Sequence, residues 1–340
     1  MSIKLTDQPG LDWLRFALAS IVVLEHAGLE FPGPINGGLA VWVFLALSGW
    51  LIGGILLRTA PEELPRFYFN RAARIWIPYW CAIVMLYAVA AAKEGIDANW
   101  WKYLFYDATF THYNFTVFPK AAEEMPLDGT GNHFWSLSVE EQFYLVAPFL
   151  LSFTGLLLRI GAVVGFGLAV VFLGDAFIPI AGGVIAAIAQ KKLGDWHSTL
   201  FGRLGVGALV LTSFSLLGWH KNTWIEALFS VAVVLMLAVP GRRSRTALWF
   251  GAVSFPLYLN GWLGMFIANF LTKRLPEMAA VSITLQFAFA LLVATVCWYL
   301  IDRPIRARRD EWYNLRVGRV AAGIAYGSIA IGVIGGLALR

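Results

Sequence analysis

Arg15 and His26 stand eleven residues apart in the first apolar stretch of the chain. Eleven helical steps of about 100° return to within about 20° of the starting direction, so both share one face, about 16 Å apart along the axis. Glu25 points about 100° away and cannot share that face. Ionisable groups inside a bilayer are expensive, so each calls for a partner or a task. Histidine is the residue type that takes a hydroxyl proton near neutral pH, which makes His26 a candidate general base. It is expected to be buried toward the outer half of the membrane. The alternative is a His that only hydrogen-bonds a neighbouring helix.

A second constellation lies at 66–79. Pro65 suits a helix start, and Arg71 and Arg74, spaced i,i+3, then project from one face. Two adjacent guanidiniums make a phosphate site, although cytoplasmic loops carry Arg for topology alone. A third lies at 133–144, His-Phe-Trp-Ser-Leu-Ser-Val-Glu-Glu-Gln-Phe-Tyr. Ser138 followed by Glu141 fits a capping box at the start of a helix, which accounts for Glu141 structurally. It leaves Glu140, His133, Trp135 and Gln142 unexplained. A Gly-x-Ser-x-Gly elbow, a Gly-rich phosphate loop with Lys and a His-Glu-x-x-His zinc motif are all absent from the sequence. No His-x4-Asp occurs either, and no metal is expected.

The elements that must position these residues follow from composition. Hydrophobic residues make up 59% of the 340 and charged residues 14%, with mean hydropathy +0.68. Soluble domains carry about 25% charged residues, so this chain cannot coat a water-facing surface. Fifteen Trp and 25 Phe suit aromatic belts at bilayer interfaces. Two cysteines exclude a disulfide scaffold. The net charge of +5 is dispersed in short clusters, which argues against nucleic acid as a partner.

A helix needs roughly 20 apolar residues to cross a bilayer. Eleven stretches qualify: about 11–29, 38–57, 76–93, 137–158, 159–174, 176–190, 200–219, 223–239, 248–271, 279–301 and 318–339. The expectation is an all-α integral membrane protein with a bundle of about eleven transmembrane helices, ten in a core plus a C-terminal one. With the N-terminus in the cytoplasm, 18 Lys and Arg fall inside and seven outside, Arg15 lying within the first span. That bias predicts N-terminus in, C-terminus out. Fusing the fifth and sixth stretches would invert every later loop. The first stretch carries Arg15, Glu25 and His26, so no cleavable signal peptide is expected. The acidic loop at about 94–136 is expected to be external, and its length points to a function.

In order, these segments resemble the acyltransferase-3 family of multi-helix membrane O-acyltransferases. Leu11-Asp12-x-Leu14-Arg15 with Val22-Val23-Leu24-Glu25-His26 is similar to the family's first helix, and Phe44-Leu45-Ala46-Leu47-Ser48-Gly49-Trp50 to its second. Phe67-Tyr68-x-x-Arg71-x-x-Arg74-Ile75-x-x-Pro78-Tyr79 resembles its Arg-x-x-Arg segment. Trp135-Ser136-Leu137-Ser138-Val139-Glu140-Glu141-Gln142-Phe143-Tyr144 resembles its most recognisable stretch. The likeness weakens over 151–247 and returns at Leu257-Tyr258-Leu259 and Asp302-x-Pro304. Asn260-Gly261 stands where the family usually has Trp-His, and Asp302 where Glu is more usual.

The resemblance implies an acyltransferase-3-like transmembrane domain over 1–305, followed by a basic cytoplasmic linker and final helix over 306–340. Some relatives continue into an extracytoplasmic hydrolase-like domain, whereas this chain stops at Arg340 and is expected to act alone. The resemblance also implies transfer of an acyl group, commonly acetyl, to a hydroxyl of a carbohydrate or other small acceptor. Acyl-CoA is then a donor substrate, with no permanently bound cofactor. On that basis His26 and Glu140 are catalytic and Arg15, Arg71 and Arg74 bind the donor. Asp12, Ser48, Gly49, Trp135, Ser136, Glu141 and Gln142 shape the site. Two alternatives stay open: a transporter or flippase of a sugar or lipid-linked compound, and an inactive membrane component. The cell membrane is the expected location; the oligomeric state is not legible.

Overall fold

The computed structural model describes residues 8–118, 120–152, 155–272 and 279–339, which form helices and no strands. The principal helices are α1 (Pro9–His26), α2 (Gly37–Leu56), α3 (Leu64–Glu94), α4 (Ala98–Ala108), α5 (His112–Thr116), α6 (Trp135–Leu151) and α7 (Gly155–Leu173). They continue with α8 (Phe177–Leu193), α9 (Leu200–Leu217), α10 (Thr223–Leu237), α11 (Arg245–Thr272), α12 (Ala279–Cys297), α13 (Arg303–Trp312) and α14 (Leu315–Ala338). Two compact units divide them: residues up to 54 with 178–300, and residues 55–177 with 301 onward.

In the first unit α11 packs along α12 and α1, and α9 along α10. Its core joins Ala19, Val23, Leu257, Ala290 and Ala294, with Phe16, Phe44, Tyr258, Met265 and Phe287 around them. Small residues let the backbones close up, as in other membrane bundles. A Cβ on Gly264 would collide with the Ala290 backbone, and one on Gly49 with the Ile180 carbonyl. Glu25 is absorbed by the fold: its Oε2 accepts the Gly37 N–H at 2.6 Å. Together with Asn36, which accepts from Leu39 N–H at 2.8 Å, it satisfies the opening turn of the otherwise apolar α2.

In the second unit α14 packs along α3, and α6 along α7. A Cβ on Gly318 would meet the Pro65 carbonyl at 2.7 Å, and Tyr68 and Tyr326 share a hydroxyl–hydroxyl bond of 2.8 Å. The segment between α3 and α6 is not an open loop. It folds into α4, α5 and shorter turns, α4 being capped by Asp97, whose Oδ1 accepts Trp100 N–H at 2.7 Å.

Each of the eleven expected stretches contains a helix, but only seven helical runs are long and apolar enough to cross a membrane among the described residues. Three fall short for visible reasons. The 18-residue α1 carries Asp12, Arg15 and Glu25, while α6 and α10 have 17 and 15 residues. The fifth and sixth stretches count as one run, Ile160–Leu193, because a 3₁₀ turn at Gly174–Ala176 links α7 to α8. The chain is a multi-pass, all-α membrane protein.

Candidate functional site

His26 is the last residue of α1, followed by Gly28 at φ +94. Contrary to the expectation of burial, it is exposed. The packed face of α1 carries Leu11, Leu14, Leu18, Val22 and Val23, and the helix stops before a further turn could cover the ring. Its Nδ1 lies 2.7 Å from the Val22 carbonyl oxygen. A carbonyl only accepts, so Nδ1 carries the proton and donates. In the neutral ring Nε2 then keeps a lone pair, which is the state a general base requires.

At the other end of α1, Arg15 is half-buried and bonds the Asp12 carboxylate at 3.4 Å. A second cation joins them: Arg243 Nε sits 2.9 Å from Asp12 Oδ2, a charge–charge contact without the alignment of a hydrogen bond. Asp12 fits against Gly251, where a Cβ would meet its side chain at 2.7 Å. Asp12 thus clamps two arginines. The i,i+3 spacing made the first visible in the sequence; Arg243 had no local signal. Gly49 shapes this unit by close packing on Ile180, and Ser48 precedes it on α2. At the position of the family's usual histidine, Gly261 faces Val23, which a Cβ would meet at 3.0 Å. A larger side chain there would press on the Val23 side chain of α1.

In the second unit Arg71 and Arg74 lie on α3, which starts at Leu64 and carries them as part of one 31-residue helix. Arg71 sits over the rings of Tyr144 (5.9 Å) and Phe67 (6.0 Å), and its buried Nε has no hydrogen-bond partner. Tyr144 donates its hydroxyl to Glu140 Oε2 at 2.9 Å. The neighbouring Glu141, 4% exposed, accepts from Trp76 Nε1 at 2.8 Å and so ties α6 to α3. Arg71, Trp76, Glu140, Glu141 and Tyr144 therefore form one cluster.

Arg74 and Arg306 both act electrostatically on Asp302. That carboxylate is 4% exposed and closes a π-helical turn, Trp298–Asp302, a distortion often found at functional sites. The expected capping box does not form. A 3₁₀ turn at Thr130–Phe134 runs straight into α6, which starts at Trp135, so Ser138 lies inside the helix. Its hydroxyl reaches back to Phe134 O at 3.5 Å. Trp135 packs its ring against Tyr113 at 5.8 Å, and Ser136 donates to His133 O at 3.3 Å. Gln142 turns toward α5: its Nε2 donates to Phe110 O at 2.8 Å and Asn114 Oδ1 at 2.6 Å.

One network escaped the sequence reading. Asp107 and His112, both 1% exposed, pair at 2.6 Å, and Tyr87 donates to the other Asp107 oxygen at 2.6 Å. Tyr79 donates to the Asp107 carbonyl at 3.0 Å. Phe110, at φ +54, makes the sharp turn that brings His112 back onto Asp107. The signal was an Asp and a His five apart in an otherwise aromatic stretch.

A family model described as an acyltransferase domain matches residues 8–303. The chain is similar to the peptidoglycan O-acetyltransferase OatA of Listeria monocytogenes, 34% identical over 187 residues. That match covers 47% of this chain and 27% of the relative. It is also similar to the O-acetyltransferase OatA of Staphylococcus aureus, 31% identical over 166 residues, or 43% of this chain and 25% of the relative. The matches span about a quarter of these relatives' length. No solved structure matches the chain. With the model covering most of its length and the motif residues gathered within the two units, this chain belongs to the acyltransferase-3 family of enzymes.

Proposed function

We propose that the chain is a membrane O-acyltransferase that moves an acyl group, acetyl by analogy with its relatives, from acyl-CoA to a hydroxyl of a carbohydrate. The observation that carries this is the His26 tautomer, with Nδ1 donating to Val22 O and Nε2 left to accept a proton. In the reaction Nε2 takes the acceptor's hydroxyl proton while that oxygen attacks the thioester carbonyl. The tetrahedral intermediate collapses, the C–S bond breaks, and the proton leaves with the CoA thiol. Arg15, Arg71 and Arg74 hold the donor's phosphates by charge-assisted bonds. Glu140 is the second acid–base group, oriented by Tyr144. Asp12 holds Arg15 and Arg243, and Glu141 ties the arginine-bearing α3 to α6.

The 18-to-seven charge bias supports a cytoplasmic N-terminus and an external C-terminus, with the chain crossing eleven times. The 19 residues of α7 and 17 of α8 are about 28 and 26 Å long, each close to the roughly 30 Å of a bilayer core. Gly174, at φ +50, supplies the break between them. Peptidoglycan, named in one relative, is the proposed acceptor class. The test is purified protein given acetyl-CoA labelled in the acetyl group together with peptidoglycan fragments. Alkali-labile label on the glycan supports the reading; label remaining wholly on CoA opposes it.

A further inference from the structure

The segment joining α3 and α6 holds a cavity of about 340 Å³, lined by Lys102, Tyr106, Asn114, Phe115, Val117 and Phe118. We propose that it is the subsite that binds a sugar ring of the acceptor. The inference rests on the acyltransferase reading for the identity of that acceptor and adds where it is held.

Four observations carry it. The volume sits at the lower end of small-ligand pockets and suits one monosaccharide unit rather than an acyl-CoA. The wall carries the open ring of Phe118 beside one amide and one ammonium group, while the buried Tyr106 and Phe115 stack on each other at 5.1 Å; an aromatic face, negative at its centre, attracts the C–H face of a pyranose. Lys102 Nζ is held 3.1 Å from Glu124 Oε2, an ammonium beside a carboxylate that can bond neighbouring sugar hydroxyls as donor and acceptor. Lys102 also pulls the Glu124 carboxyl below the usual carboxylate range through their hydrogen bond. Finally, the cavity is anchored to the motif helix. Asn114 donates to Phe172 O at 2.9 Å and accepts from Gln142 at 2.6 Å, so its amide orientation is fixed by a residue directly after Glu140 and Glu141. Gln142 is thereby a positioning residue for the cavity wall.

The rim is open to ligand. Phe118 is 38% exposed and Val117 74%, on a stretch that lies between the spanning helices rather than within them.

The test is saturation-transfer NMR and titration of a soluble peptidoglycan disaccharide against the full chain in detergent. Comparison is made with Phe118→Ala, Lys102→Met and Phe118→Trp. The disaccharide is expected to receive saturation from wild type, and its Kd to rise roughly tenfold or more in Phe118→Ala and Lys102→Met. Phe118→Trp, which keeps an aromatic face, should restore binding if Phe118→Ala loses it. Absence of binding to wild type, or an unchanged Kd in both the Ala and Met variants, overturns the proposal. Binding with those losses but no label transfer removes the acyltransferase reading and leaves the sugar site. Label transfer with unchanged Kd and acceptor KM in the variants removes the sugar site and leaves the enzyme.

Discussion

At the scale of single residues, the same guanidinium can serve topology or chemistry, and the two differ in what a lysine can replace. The positive-inside bias counts Lys and Arg alike, whereas a phosphate grip uses the planar fork of Arg. Arg71 stacks on Tyr144 and Phe67 and keeps an unbonded buried Nε, an arrangement that charge sorting alone does not need. The double variant Arg71→Lys with Arg74→Lys should insert normally and raise the KM for acyl-CoA. Loss of a charge-assisted contact costs about 1–3 kcal/mol, hence roughly 5- to 150-fold, with acceptor KM little changed. Steady-state kinetics in both substrates decides it, and an unchanged donor KM returns these arginines to topology. Their place on one helix was legible from the Pro65 start and the i,i+3 spacing. Their neighbours were not: Arg71 comes to lie over Tyr144, and Arg74 to act on Asp302, only through tertiary packing. His26 shows a different limit. Hydropathy assigned its segment to the membrane but could not say which face of α1 the rest of the unit would cover.

At the scale of elements, the stretch from α4 to α6 shows how a nominal loop becomes a structured wall. Phe110 takes a left-handed conformation that costs energy in a non-glycine residue, and the surrounding bonds hold it there. The Asp107 carboxylate is filled by His112 on one oxygen and Tyr87 on the other. His112→Ala leaves a buried carboxylate oxygen unbonded, and about 1–3 kcal/mol of stability should be lost. Thermal unfolding in detergent and hydrogen exchange over 107–116 measure this; Tm and protection matching wild type would show that the pair is idle. The sequence carried the expectation of an external, functional segment here, yet nothing local revealed the Asp–His pairing. The misplaced capping box has a similar origin. Ser138 and Glu141 have the right spacing, but the 3₁₀ turn at Thr130–Phe134 starts the helix earlier and Trp76 claims the carboxylate.

At the scale of the molecule, membrane class and helical content were readable from composition, because so few charges leave no alternative to lipid. The number of crossings was less so: periodicity marks helices, while a crossing also needs length. The orientation proposed from the charge count is open to direct measurement. Single cysteines at exposed positions in 303–317 and 94–136, in a background lacking Cys81 and Cys297, should react with an impermeant thiol reagent from opposite sides of the membrane. Reaction from the same side contradicts the eleven-crossing arrangement.

The central claim is that His26, held by Val22 O through Nδ1, is the general base. The most direct measurement is the rate of labelled acetyl transfer by His26→Gln, purified in detergent beside wild type at matched helicity. Loss of a general base lowers the rate by about 10²–10⁴-fold, with donor binding retained, and that is the predicted result. A rate above about a tenth of wild type would contradict it, because a residue worth so little cannot be carrying the proton transfer.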